Sequence, residues 1–188
     1  MGLTLLILAI LAILVVFLLI ATYNRLIALK NQIDFARGNI EALLKKRFDL
    51  IPNLVATVKA YAKHERETLE KVTALRSRIG QAKDDAERFK LEGEMSGLLG
   101  RLLVQLEAYP ELRANENFLQ LQGELSRIEA ELARARESYN AAVVRFNNAV
   151  EMFPSNMVAS WMGLSPRPVF EAGEAAHAAP NVGKLFDA

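Results

Sequence analysis

The run LTLLILAILAILVVFLLIAT, residues 3–22, contains no charged side chain. No other feature constrains the fold as tightly, because a bilayer's hydrocarbon core is about 30 Å thick and about 20 helical residues cross it. In that medium every backbone N–H and C=O must be satisfied internally, and a lone segment achieves this only as a helix. A cleaved signal peptide is the competing reading. It asks for a basic stretch before the apolar run, a run of about 7–15 residues and a small-residue cleavage site, and these are missing here. Residues 1–22 are therefore expected to be a retained anchor, with the lipid bilayer as partner. Arg25, Lys30 and Arg37 follow the span and only the α-amino group precedes it, which assigns the rest of the chain to the cytoplasmic face.

Beyond the anchor the apolar residues recur at helical spacing and nothing alternates as a strand would, so the fold class is all-α. Leu26, Leu29, Ile33, Ala36, Ile40 and Leu43 extend the membrane helix without a break and present one stripe. The stretch RFDLIPNLVATVKAYAKHE, residues 47–65, then reads as a structural corner built by Arg47, Asp49, Pro52 and Asn53. Asp49 would cap the next helix, Pro52 would occupy its first turn, and Asn53 and Lys59 would bond across it. That helix carries Ile51, Val55, Val58, Ala62, Leu69, Val72 and Ile79 on one face and stops near Gly80. Asp84 or Asp85 would cap a third helix running to about Tyr109, in which Gly93, Gly97 and Gly100 suggest close approach of a neighbour. After the connector YPELRANEN, the last helix keeps 3-4 spacing from Phe118 through Leu125, Leu132, Tyr139 and Phe146 to Phe153, a long knobs-into-holes seam ended by Pro154. The expected organisation is an anchor at 1–22, an elongated antiparallel four-helix bundle at 23–164 that closes with a short turn of helix ending at Gly163, and a flexible tail at 165–188.

With 23 basic against 22 acidic residues the chain lacks the concentrated basic surface that nucleic acid requires. The absence of cysteine removes disulfides, thiolate metal sites and cysteine nucleophiles. His64–Glu65 invites a zinc reading, but HERET places Thr68 where the second histidine should stand, and His177 lies in the tail. No GxSxG elbow or phosphate-cradling glycine loop is present. No catalytic, cofactor-binding or metal-binding residue is expected. The candidates that remain are for interaction: the polar face of Lys59, Tyr61, His64 and Glu65, the pair Phe170–Glu171 in the tail, and Trp161. Trp161, with Phe153, Met157 and Met162, reads either as a cap over the open end of the bundle core, which is preferred, or as an apolar knob for a partner or the membrane interface.

The anchor followed by YNRL (23–26), the stretch 47–65, RLLVQLEAYPELRANENFLQLQGEL (101–125), ESYNAAVVRFNNAVEMFPSNMVASWMGL (137–164) and the FE of 170–171 together resemble the LemA family of bacterial membrane proteins, in the family's order along nearly the whole chain. Trp161 stands where a smaller or aliphatic residue is expected, and the Phe-Glu pair has fewer acidic neighbours than usual. The resemblance implies a single-pass anchor in the bacterial cytoplasmic (inner) membrane and a helical bundle, and it supplies no reaction. Relatives include a protein of magnetosome membranes, which implies by analogy a role in organising or shaping membrane. The expected function is thus a non-enzymatic scaffold that self-assembles as a homo-oligomer. The alternative is a monomeric tethering or adaptor module that binds an envelope protein through the tail or the face near Lys59 and Glu65. An enzyme would need an active site formed between subunits.

Overall fold

The computed structural model describes residues 1–82 and 85–170; the expected cap at Asp84, and Glu171 with the rest of the tail, lie outside them. The regular structure among the described residues is helical: α1 (Gly2–Tyr61), α2 (Arg66–Gln81), α3 (Asp85–Leu106), α4 (Pro110–Arg113), α5 (Glu116–Glu151) and α6 (Ser155–Trp161), with a 3₁₀ turn at Lys63–Glu65. The all-α expectation holds. α1 begins with the apolar run, and every large apolar side chain from Leu3 to Ile20 is exposed. Among the described residues this segment belongs to no core, and it is long and apolar enough to cross a membrane.

α1 continues out of that run, as its stripe requires, but the corner expected at 47–53 is absent. Arg47, Asp49, Pro52 and Asn53 all lie inside the unbroken helix. A proline in a helix interior removes the N–H that would bond four residues back and ordinarily costs about 3 kcal/mol or more. Here the bereft carbonyl is that of Phe48, and Arg76 on α2 donates its Nε–H to it at 3.1 Å. The same guanidinium lies 3.9 Å over the Phe48 ring. A neighbouring helix thus supplies the donor that proline lacks, and α1 has no reason to stop. Asp49 caps nothing and instead pairs with Lys45 one turn earlier at 3.5 Å. The chain turns at Ala62, whose φ of −108° and ψ of 74° leave helical space, and the Glu65 N–H closes the turn on the Ala62 carbonyl.

The described residues divide into two compact units, Met1–Ile40 with Arg134–Phe170, and Glu41–Ala133. In the second, parts of α1 and α5 combine with α2 and α3 as the helices of an antiparallel bundle. Its core takes Ile51, Leu54 and Val58 from α1, Leu69 to Ile79 from α2, Met95, Leu99 and Leu102 from α3, and Phe118 and Leu125 from α5. Asn115 caps α5, its Oδ1 accepting the Phe118 N–H at 3.0 Å, as the composition of the connector suggests. The glycines of α3 do not receive a neighbouring helix. Gly93, Gly97 and Gly100 are exposed, and a Cβ on any of them would meet nothing within 4 Å.

In the first unit Leu26 and Ile33 of α1 pack with Ala142, Val143, Phe146, Ala149 and Val150 of α5 and with Val158 and Ala159 of α6. α6 ends as expected at Gly163, whose φ of +66° suits glycine. The N–H groups of Gly163 and Leu164 close on the carbonyls of Ser160 and Ala159, the paired bonds of a Schellman cap.

Candidate functional site

Counting by sevens along α1 gives Leu26, Ile33, Ile40, Arg47 and Leu54, each at most 1% exposed. Arg47 therefore occupies a core position rather than a basic surface. Its Nη1 donates to Ser96 Oγ at 2.5 Å and to Glu129 Oε1 at 2.6 Å. Its Nη2 donates to the Glu92 carbonyl at 3.0 Å and to the Glu92 carboxylate. One guanidinium thereby ties α1 to α3 and α5. Glu92 is buried with it, whereas the Glu129 side chain keeps 27% of its surface and shares its charge with water. Taking a cation and a carboxylate out of water is repaid only by such near-complete hydrogen bonding, and removing one partner strands the other. The cluster fixes helix register, and both Nη groups of Arg47 are engaged by the fold.

The polar residues singled out in the sequence gather at the observed turn. The Tyr61 hydroxyl accepts from Asn115 Nδ2 at 3.2 Å, and Glu65 accepts from the Tyr109 hydroxyl at 3.0 Å. Burial, and then the hydrogen bond and charge of Glu65, push the Tyr109 phenol above its ordinary range. Two of the four residues thus fasten the connector before α5, while Lys59 and His64 are exposed. Beyond the turn, Lys71 lies 2.5 Å from Glu67, and that hydrogen bond and charge hold the Glu67 carboxyl below its usual range. Among the described residues no group of three His, Cys, Asp or Glu gathers as a metal site would require.

The other unit carries two features that sequence reasoning missed. Residues 165–170 fall where a flexible tail was expected, yet the chain is laid along α5. Asn147 accepts the Arg167 N–H and donates to its carbonyl, both at 2.8 Å. Asn140 does the same for Phe170, at 2.7 and 2.9 Å. The spacing explains the match: seven helical residues advance about 10 Å, and so do three extended ones. Arg167 pairs with Asp34 at 3.0 Å, and the Phe170 ring meets Tyr139 edge-on at 5.1 Å. The second feature is Phe35, 82% exposed, which borders a shallow groove lined by small residues such as Ala28, Ala36 and Ala142 and by the polar Asn31, Gln32, Asn39 and Arg145.

Trp161 does not cap the core. It is 81% exposed, because the buried face of α6 is Val158 and Ala159 while Met157 and Trp161, four apart, share the opposite face.

Compared with known proteins, the chain matches the model of the LemA family over residues 36–183. It is 30% identical to Protein LemA of Metamycoplasma hominis over 159 residues, covering 84% of this chain and 73% of that protein. It is 24% identical to Magnetosome protein MamQ 2 of Paramagnetospirillum magneticum, covering 81% of this chain and 66% of that protein. Magnetosome protein MamQ of Magnetospirillum gryphiswaldense is 22% identical, over 77% of this chain and 63% of its own length.

Proposed function

The chain belongs to the LemA family, and we propose that it is a non-enzymatic, membrane-anchored helical scaffold that assembles with further copies of itself and so organises or shapes the membrane. The observation that carries this reading is Phe35, a large apolar side chain left in solvent beside a groove of alanines rimmed by polar side chains. Copies anchored by the same helix stand at the same height, because residue 35 lies 13 positions past Thr22, about 20 Å beyond the apolar run. The groove residues of α1, 28–39, lie at that height too, so the knob of one copy meets the groove of the next without a vertical shift. Burying one phenylalanine contributes about 1.5–3 kcal/mol. The open glycine face of α3 offers a second approach for a neighbouring backbone. Two relatives are named as magnetosome proteins, which agrees with a role in organising a cellular structure.

The membrane is the bacterial inner membrane, with the bundle on the cytoplasmic side, where Arg25, Lys30 and Arg37 hold it. Because the chain lacks cysteine, Asn39→Cys, exposed one turn from Phe35 on the same groove, gives a clean probe that leaves the phenylalanine in place. Oxidation in intact cells should yield a covalent dimer of the chain; a monomer alone would contradict self-assembly, and a discrete adduct with another protein would favour an adaptor. Asn53→Cys, exposed on α1, should resist an impermeant thiol reagent in intact cells and after the outer barrier is opened. Labelling there would reverse the orientation.

A further inference from the structure

We propose that the corner between α5 and α6 is a second membrane contact, in which Met152, Phe153, Met157 and Trp161 enter the interfacial layer of the bilayer that α1 spans. This rests on the anchor reading above and adds a contact beside it. These four side chains are 62, 79, 66 and 81% exposed. The stretch from Met152 to Pro166 holds no charged residue, so the patch is uncharged as well as apolar. Its position on the fold selects lipid as the occupant. The inner face of the same corner, Val150, Val158 and Ala159, shares a core with Leu26, and Leu26 is four residues, or about 6 Å, past the end of the apolar run.

The corner thus stands where α1 leaves the hydrocarbon, the level at which tryptophan and other amphipathic aromatics settle. Tyr23, also exposed, lies at that level on α1. The strap does not cover the patch, since from Gly163 the chain meets Asn147 and then Asn140, running back along α5 away from the corner. An apolar wedge entering one leaflet beside a spanning helix is the geometry of an interfacial helix. It would couple the bundle to the curvature of that leaflet.

Trp161 is the chain's single tryptophan and reports the contact directly. The full-length protein would be reconstituted into phosphatidylcholine–phosphatidylglycerol vesicles carrying a doxyl quencher either near the headgroup or deep in the acyl chain, with resistance to alkaline carbonate extraction checking the anchor. The expected result is blue-shifted emission, quenched more by the shallow label than by the deep one, and loss of most of that quenching in a Phe153→Ser/Met157→Ser double variant. Emission typical of water, unquenched by either label in carbonate-resistant protein, would overturn the contact and leave the anchor standing. Blue-shifted emission without quenching would assign the patch to protein and also overturn it. Extraction by carbonate would remove the anchor reading and this inference with it.

Discussion

In the unit formed by Glu41–Ala133 three helices are held in register by a charge, whereas in the unit formed by Met1–Ile40 and Arg134–Phe170 the core is apolar and the ordering polar groups lie at its rim. Arg47 and Glu92, the buried charged residues among those described, both fall in the first of these. A guanidinium with four acceptors on α3 and α5 tolerates no slip, because any shift strands a buried carboxylate. The amide ladder of Asn140 and Asn147 is different in kind. It fastens a strap, and its loss would strand no buried charge.

The strongest way to break this contrast is Arg47→Met. Leaving Glu92 buried without its cation should destabilise the unit by about 3–5 kcal/mol, read as lost thermal stability and as hydrogen exchange rising across Glu41–Ala133. Adding Glu92→Leu should return most of that loss, because an apolar pair no longer strands a charge. Next in size is Arg76→Ala, which leaves the Phe48 carbonyl unpaired at a cost of about 1–3 kcal/mol. In a Pro52→Ala background that cost should shrink, since the alanine N–H can bond the same carbonyl, and a double-mutant cycle measures the coupling. If Arg76→Ala costs the same in both backgrounds, the account of the proline is wrong.

Smaller effects test the rim. Asn140→Ala and Asn147→Ala should each cost about 1 kcal/mol, visible as faster exchange of the Phe170 and Arg167 amides with little change in the core around Phe146. Exchange rising equally throughout that unit would mean that strap and core are one cooperative element. Smallest of all is the exposed pair Glu67–Lys71. Its depressed carboxyl contributes stability above the ordinary carboxylate pKa, and the contribution disappears as pH falls through the depressed value. An NMR titration should show Glu67 returning toward its ordinary range in Lys71→Met, with no measurable change in melting.

The long apolar helix, the helical periods and the stop at Gly163 were legible in the sequence because each depends on neighbours within a turn or two. The corner was misplaced for the opposite reason. Pro52 breaks a helix by local rules, and the donor that rescues it comes from Arg76, supplied by tertiary packing. Arg47 held a readable heptad position, but its place just before Asp49, Pro52 and Asn53 made it look like part of a corner. Its partners Glu92 and Glu129 lie 45 and 82 residues away, beyond any spacing argument. Asn140 and Asn147 showed their heptad interval, yet nothing in a Pro/Ala/Gly-rich tail announced that residues 167–170 would meet them. Trp161 was misjudged because apolar side chains are expected inside, whereas α6 has a small buried face and turns its largest residue outward.

The central claim, that the chain is a building block, is tested most directly by the mass of the full-length protein extracted in mild detergent, determined by light scattering across a range of concentrations. An oligomer that persists on dilution and is reduced to the 20.9 kDa chain by Phe35→Glu is the predicted result. A monomer at every concentration, with Phe35→Glu indistinguishable from the parent chain, would contradict it.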